Sequence, residues 1–420
     1  MAGRAGFVGW LTTVFRILFP PAELQPADKK LLLLLGAAFF ICNYDMTVLS
    51  LALPDLQQSF GIAEEDLGKV MGAARLGALP AIFFALLSDR IGRRRLLIVT
   101  LLGLSVATGA SGLARSTEEF IALQFCARLF TTAEEILSVI YVLEMLPARH
   151  RGWGVGFLAA MGGLGSGFAS LLYGMVDYLP GGWRALYMIA ALPILYIAWL
   201  RRLLPETVMF ERNASGGLPV IFWQPVLEIF RSHRPEITAI ALIALAFWFQ
   251  ITATLGFMSK YLQEIHGYAP QQVSLLFIVA GSLAILGNVA AGSISDRIGR
   301  RLTLVAALVV NCAAVIVFYN SAGFLLPLAW IAALFSFFAV DVMVNAVSGE
   351  LFPTGCRSTA STLRMICVMF AAVAGLAVEG SLFSALGTHA AALSLMSLSS
   401  LLAVPVVAVM LRETSNTELR

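Results

Sequence analysis

Three ionisable side chains lie in the middle of long apolar stretches of the chain: Asp45, Arg128 and Glu135. Arg128 and Glu135 are seven residues apart, so on a helix they project from one face, about 10.5 Å apart. A charge in the centre of a membrane costs about 2.5–3.5 kcal/mol on insertion scales. We therefore expect these groups to face a polar cavity, where the planar guanidinium of Arg128 can bind a carboxylate or a phosphate.

The carboxylates of this set can also take up and release protons. We interpret Asp45 and Glu135 as a proton relay whose protonation frees Arg128 for an anionic substrate. A static ion pair that holds two helices together is the alternative. Glu134 points about 100° away from Glu135, so only one of them can share a cavity with Arg128. We favour Glu135, and Glu134 stays open because Asp341 repeats it 207 residues later.

Other polar side chains in apolar stretches are weaker candidates for contact with a substrate. Asp341 and Asn345 are four residues apart and share a helical face. Arg364 either snorkels to the membrane surface or meets an anion, whereas snorkelling is favoured for Arg75. The amides that can touch substrate but more often bond between helices are Asn288, Asn311 and Asn345.

Twelve apolar runs, each near the length of about 20 residues that crosses a membrane, are available to position these groups. The chain has 420 residues, of which 59% are hydrophobic and 13% charged, and this composition excludes a soluble enzyme, a nucleic-acid binder and a disordered chain. The runs are 31–55, 68–88, 95–114, 119–143, 153–177, 183–203, 237–260, 271–293, 302–321, 325–349, 357–382 and 389–411. Asp45, Arg128 and Gln250 lie about 14–15 Å from the predicted outer ends of their runs, near the midplane.

The links between the runs predict the domains and the orientation. The segments that precede the odd-numbered runs, together with the C-terminal tail, carry 21 basic residues, whereas the segments that follow the odd-numbered runs carry 4. Both termini are therefore expected in the cytoplasm. The expected location is the plasma membrane, which in bacteria is the inner membrane. The predicted units are a cytoplasmic segment (1–30) with an interfacial amphipathic helix over 7–19, a six-helix bundle (31–203), a cytoplasmic linker (204–236), a second bundle (237–412) and a tail (413–420).

An internal repeat relates the two predicted bundles. The string SDRIGRR occurs at 88–94 and again at 295–301. A second string, Glu-x-x-Pro-x-x-x-Arg, begins at Glu144 and again at Glu350, 206 residues later. Unrelated strings at one offset indicate two halves of common design, as in transporters built from parallel repeats.

These doubled motifs resemble those of the major facilitator superfamily, over about residues 28–413. The resemblance implies an all-α membrane protein of twelve transmembrane helices in two bundles, with a cavity lined by Asp45, Arg128, Gln250 and Asp341, and it also favours Glu135. The first motif has Ala85 where the family usually has Gly. The resemblance further implies gates on the cytoplasmic side, formed by Asp89, Arg90, Gly92, Arg93, Arg94, Glu144, Arg151, Asp296, Arg297, Gly299, Arg300, Arg301, Glu350 and Arg357.

Within this superfamily, Asn43-Tyr44-Asp45 with Arg128 and Glu135 resembles organic-anion symporters and Spinster-like transporters. The predicted function is secondary active transport by alternating access, with proton-coupled symport of a small organic anion. The alternatives are a lipid or drug exporter and, from another class, a non-transporting receptor or sensor. No catalytic or nucleotide-binding signature and no metal pattern is found, so we expect no enzyme activity and no cofactor. The expected partners are a small-molecule substrate, protons and the bilayer, without nucleic acid, for a monomer.

Overall fold

The computed structural model describes residues 24–147, 150–200, 223–353 and 356–413, without side chains at 85, 86, 89, 90, 193–200, 223–226, 286–290 and 358. Within these ranges the regular structure is entirely helical, so the predicted all-α class is confirmed. The predicted interfacial helix over 7–19, part of the predicted linker and nearly all of the predicted tail lie outside the described residues.

The first half of the chain contains α1 (Pro26–Leu51), α2 (Leu53–Phe60), α3 (Glu64–Arg75), α4 (Ile82–Ile91), α5 (Arg93–Ser111), α6 (Thr117–Met145), α7 (Arg151–Tyr173) and α8 (Trp183–Leu200). The second half contains α9 (Trp223–Ser232), α10 (Arg234–Lys260), α11 (Pro270–Ile298), α12 (Arg300–Asn320), α13 (Leu325–Leu351), α14 (Arg357–Leu386), α15 (His389–Ser397) and α16 (Ser399–Met410). Each of the twelve apolar runs falls on one or two of these helices. In the described ranges, nine helical segments are long and apolar enough to cross a membrane, and the count of twelve crossings stays a prediction.

The second apolar run is interrupted and does not form one continuous helix. α3 ends at Arg75, a 3-10 turn covers Leu76–Ala78, and α4 follows. Pro80 lacks a backbone N–H and therefore breaks the helical hydrogen-bond ladder. Gly77 in the turn packs directly on α6, because a Cβ there would lie 2.0 Å from the carbonyl oxygen of Phe125. The break therefore comes directly after a charged residue and against the helix that carries Arg128.

The hydrophobic core joins the two halves at one end of the molecule. One cluster of buried side chains combines Leu56 and Met71 of the first half with Phe257 of the second. Towards the other end, each half has its own cluster, one containing Tyr141 and the other containing Phe247. We call the end with the shared cluster the joined end; α1 and α10 end there, and α3 begins there. We call the opposite end, where each half has its own cluster, the separated end.

Glycines allow α3 and α14 to approach closely near the joined end. A Cβ at Gly68 would lie 2.3 Å from the carbonyl oxygen of Leu376, and one at Gly380 would lie 2.4 Å from that of Glu65. No side chain fits in this space, so the two backbones are in direct contact across the halves. The side chain of Ala85 on α4, the departure from the family pattern, is not described. The close packing is made by Gly68 on α3, in the other part of the same apolar run, and by Gly380 on α14.

Candidate functional site

Arg128 is a buried cation without a bonded partner among the residues that the structure describes. Arg128 lies on α6 and is 5% exposed. The Nη2 atom of its guanidinium is buried without a hydrogen bond to any described residue. The guanidinium forms no hydrogen bond or ion pair with any of the described residues. Asp45 and Glu135 lie within electrostatic range of it, but neither carboxylate is bound to it directly. A buried charge without a counter-ion is unfavourable, so this arrangement suits the binding of an external anion.

Asp45 lies inside the first half, between α1 and α5. It is 1% exposed, and the hydroxyl of Thr108 donates a hydrogen bond of 3.2 Å to Oδ1. The hydroxyl of Tyr187 is buried without a hydrogen-bond partner in the described part of the chain, and it lies within electrostatic range of Asp45 and Arg128. Asp45 therefore acts on Arg128 from the protein side rather than from an exposed surface.

The adjacent carboxylates of α6 have different surroundings. Glu134 is fully buried and accepts hydrogen bonds from Thr100 at 2.7 Å and from Ser138 at 3.1 Å. Glu135 is only partly buried and accepts a hydrogen bond of 3.2 Å from the amide of Asn43 on α1. Glu134 therefore binds hydroxyl groups within the first half, and Glu135 is the less buried residue of the pair.

Arg75, for which the sequence favoured snorkelling, lies within electrostatic range of Arg128. It is only partly exposed, and its Nε is buried without a hydrogen-bond partner among the described residues. The contact of Gly77 with Phe125 holds the end of α3 against α6, and the charge of Arg128 acts on Arg75. Two arginines in range of each other repel unless an anion lies between them. The available signal was an arginine several residues inside an apolar run.

Gln250 is completely buried and bonded within the second half, and its predicted position at the cavity stays a prediction. Its Nε2 donates a hydrogen bond of 2.8 Å to Asn311, and Thr254 donates one of 3.2 Å to its Oε1. Asn311 in turn donates to the hydroxyl of Ser336 at 3.1 Å. These amides connect α10, α12 and α13, and the side chain of Asn288 is outside the described residues.

A second polar cluster joins α13 and α14 in the second half. Arg364 is 7% exposed and donates a hydrogen bond of 2.6 Å to Oδ1 of Asn345. Asp341 is within electrostatic range of Arg364, and the Nε of Arg364 is buried without a partner in the described part of the chain. The sequence allowed Arg364 either to snorkel to the membrane surface or to meet an anion. In the structure it is bonded to Asn345 inside the protein. Arg128 in the first half and Arg364 in the second are thus both buried arginines with a carboxylate within electrostatic range.

The repeated motifs form equivalent ion pairs at the separated end. Arg93 at the start of α5 bonds Glu144 at 2.9 Å, and Arg300 at the start of α12 bonds Glu350 at 3.1 Å. Both arginines follow a glycine with positive φ, 105° at Gly92 and 100° at Gly299, which favours glycine over other residues. The described pairs stay within one half, whereas the predicted gate joins the halves.

The remaining motif residues differ in their surroundings. Asp296 bonds Arg300 at 2.7 Å, Arg151 donates to the carbonyl of Leu146 at 3.2 Å, and Arg301 donates to the carbonyl of Ala408. Arg297 is exposed, Arg94 is partly exposed, and Arg357 has a buried Nε without a partner among the described residues. The side chains of Asp89 and Arg90 are not described. The gating role of this set stays a prediction.

A model of the Major Facilitator Superfamily matches residues 35–284 and 240–419. The chain belongs to this superfamily. It is similar to the cis,cis-muconate transport protein of Acinetobacter baylyi, with 27% identity over 77% of this chain and 80% of that protein. It is 25% identical to a gallate transporter of Pseudomonas putida, over 90% of this chain and 89% of the relative. The inward-open xylose transporter XylE of Escherichia coli matches with a TM-score of 0.74 at 17% identity, over 93% of this chain and 98% of XylE.

Membership of the superfamily confirms the resemblance found in the sequence. The chain is a multi-pass membrane protein that transports a small molecule, and it is not an enzyme. The relatives include transporters of organic anions. The residues of this chain that bind the substrate, the coupling to protons and the orientation in the membrane belong to the proposal below.

Proposed function

We propose that this transporter carries a small organic anion together with protons and that Arg128 binds the anion. The observation that carries the proposal is the buried guanidinium of Arg128, which has no bonded partner among the described residues although Asp45 and Glu135 lie within electrostatic range. Relatives named for cis,cis-muconate and for gallate carry organic acids, which supports a carboxylate as the ligand. A guanidinium binds a carboxylate through two parallel hydrogen bonds.

The nearby carboxylates supply the coupling to protons. When Asp45 and Glu135 are ionised, they attract Arg128 and compete with an incoming anion for it. A proton on either carboxyl oxygen removes this competition, so the anion and the proton bind together and leave together. Glu135 is the less buried of the two and is the first candidate for exchange of the proton, while Asp45 is enclosed beside Thr108.

The distribution of basic residues supports an inward-facing conformation. Its 21 to 4 ratio supports a cytoplasmic location for both termini and the repeated motifs. The separated end then faces the cytoplasm, and the joined end faces outwards. In this conformation the anion reaches Arg128 from inside the cell, and alternating access requires the joined end to open.

Uptake into proteoliposomes tests the anion site. We expect saturable uptake of cis,cis-muconate or gallate, driven by an inward proton gradient. Arg128→Gln removes the cation and should weaken binding by about 30-fold, equivalent to about 2 kcal/mol. Arg115→Gln, at an exposed position before the same helix, is the matched control and should leave binding unchanged. Unaltered anion binding in Arg128→Gln would refute the site.

Counterflow separates proton coupling from substrate exchange. Glu135→Gln and Asp45→Asn should lose gradient-driven uptake and retain part of the counterflow, because exchange of substrate does not need a net proton. Glu118→Gln, at an exposed position on the same helix as Glu135, should keep both activities. An unchanged pH dependence in both test variants contradicts the relay. Transport of lysolipids without carboxylates would favour the exporter, and binding without flux would favour the receptor.

A further inference from the structure

A histidine at the joined end lies between two carboxylates. His389, the first residue of α15, places Nδ1 at 2.5 Å from Glu379 on α14 and Nε2 at 2.9 Å from Glu64 on α3. The imidazole also packs between two phenyl rings, with centroid distances of 4.7 Å to Phe257 and 4.3 Å to Phe383. Glu379 is completely buried. The histidine and Glu379 belong to the second half, and Glu64 belongs to the first.

Both ring nitrogens of His389 face a carboxylate oxygen, so each contact needs a proton. A neutral histidine with two ionised carboxylates has only one proton for the two contacts. A neutral imidazole has one donor nitrogen and one acceptor nitrogen, and an acceptor facing a carboxylate oxygen is repelled. The proton is therefore either on the second ring nitrogen or on a carboxyl group. The Oε2 atom of Glu379 is buried without a hydrogen bond in the described part of the chain, so an ionised Glu379 has only His389 to balance its charge.

The neighbouring charges also favour an added proton. Lys260 is 3% exposed and donates to Glu64 at 3.0 Å, and it also bonds Gln57 and Glu264. Without the added proton, the carboxylates of Glu64 and Glu264 share this lysine, and Glu379 faces a neutral His389. The hydroxyl of Tyr319, which is also within electrostatic range of Glu379, donates to the carbonyl of Thr254. In the described residues no group of His, Cys, Asp and Glu is arranged to hold a metal ion, so a proton is the fitting ligand.

We propose that Glu64, His389 and Glu379 form a proton-binding site that is complete only while the two halves are joined at this end. Opening of this end moves Glu64 away from His389 and admits water to Glu379, so the proton is held less tightly. By linkage, the state that binds the proton more tightly gains population as pH falls. Acid therefore closes the joined end. This site is separate from the relay around Arg128 and does not depend on the identity of the transported anion.

A second titratable link crosses the joined end, and acid favours its protonation as well. Tyr173 donates a hydrogen bond of 3.0 Å to Asp55 and accepts one of 2.7 Å from Gln263 of the second half. Because acid also favours protonation of Asp55, a test must separate Asp55 from His389.

Distance measurements between spin labels test the proposal without any substrate. Unnatural residues that carry the labels replace the exposed residues Gln58 and Gln271, one on each half at the joined end, so that the native cysteines stay in place. In lipid nanodiscs between about pH 5 and about pH 8, the short-distance population should increase on acidification, by up to about tenfold per pH unit for one linked proton. His389→Gln should largely remove this dependence. A wild-type slope in His389→Gln, or a wild-type distance that does not respond to pH, overturns the proposal.

Three further variants complete the test. Glu379→Gln should also flatten the response, and it replaces His389→Gln if the latter fails to give a cooperative melting transition. His266→Gln removes a histidine that packs on Tyr261 at the same end and should keep the wild-type slope. Asp55→Asn should keep most of it; loss of the response in Asp55→Asn with retention in His389→Gln assigns the effect to Asp55 and rejects the histidine site. Since no organic anion is present, these results stand apart from the test of Arg128.

Discussion

Arg93 donates a hydrogen bond of 2.9 Å to Glu144, and both residues belong to the first half of the chain. The second half repeats this pair with Arg300 and Glu350, at the equivalent positions of the internal repeat. In each half the pair connects the start of one helix to the end of the next one in the sequence. The pairs therefore stabilise the individual halves in this conformation.

Removal of either glutamate should destabilise its half, and more so in the first. The side chain of Arg93 is 6% exposed and that of Arg300 is 16% exposed, so water can replace Glu144 less well than Glu350. We expect Glu144→Gln to cost about 1–3 kcal/mol and to lower the melting temperature in detergent more than Glu350→Gln. The exposed Glu118→Gln should leave it unchanged. A larger effect at Glu350 would contradict this ranking.

Gly68→Ala should hold the joined end open. The new Cβ would lie 2.3 Å from the carbonyl oxygen of Leu376, and a backbone atom cannot move away as a flexible side chain can. Spin-label distances across the joined end should lengthen, and transport should fall. Gly152→Ala is the control, because nothing lies within 4 Å of a Cβ at Gly152. Normal distances in the Gly68 variant would show that α3 and α14 separate there at little cost.

Arg75→Gln should distinguish dianions from monoanions. If Arg75 and Arg128 act on the same ligand, the loss of Arg75 affects an anion with two carboxylates more than an anion with one. We expect the affinity for cis,cis-muconate to fall by about tenfold, or about 1.4 kcal/mol, with a smaller change for gallate, as measured by titration calorimetry. Arg115→Gln serves as the control. Equal losses for both ligands would mean that Arg75 sets only the overall potential.

Glu134 and Glu135 should give opposite results in stability and coupling assays. Glu134→Gln weakens the hydrogen bonds from Thr100 and Ser138 and should lower the melting temperature, at a cost of about 1–2 kcal/mol. Glu135→Gln should leave the melting temperature nearly unchanged, since only Asn43 bonds it, and should flatten the pH dependence of uptake. The two measurements are thermal unfolding and initial uptake rates across a pH series. A reversal of this pattern would assign the coupling role to Glu134.

Local patterns in the sequence were sufficient for the helical class and the superfamily, and they supplied the candidate residues of the site. The seven-residue spacing predicted Arg128 and Glu135 on one face of a helix, and the doubled motifs predicted the superfamily. These features depend on helical periodicity and on strings of adjacent residues, which need no tertiary information. The position of Gln250 was predicted from its depth in the run and from the resemblance to the superfamily. Depth does not determine which way a side chain points, and Gln250 turned out to bond Asn311.

The cluster at the joined end could not be assembled from the sequence. Glu64 and His389 are 325 residues apart, and they meet only because the two halves pack together at one end. Glu379 offered a signal that was overlooked, since a lone carboxylate within an apolar helix is costly and requires a partner. The break at Leu76–Ala78 was also missed, because Gly77 and Pro80 occur in a run whose average hydropathy predicts a continuous span.

The 3-10 turn at Leu76–Ala78 has a consequence for how the first half can move. A continuous helix transmits a tilt along its whole length, whereas an interrupted one lets the two pieces rotate separately. Arg75 ends the piece that contacts α14, and the repeated motif SDRIGRR lies beyond the turn, at the end of α4. We therefore expect the piece that carries SDRIGRR to tilt independently of the piece that ends at Arg75, so that a rearrangement at the separated end need not displace the guanidinium near Arg128.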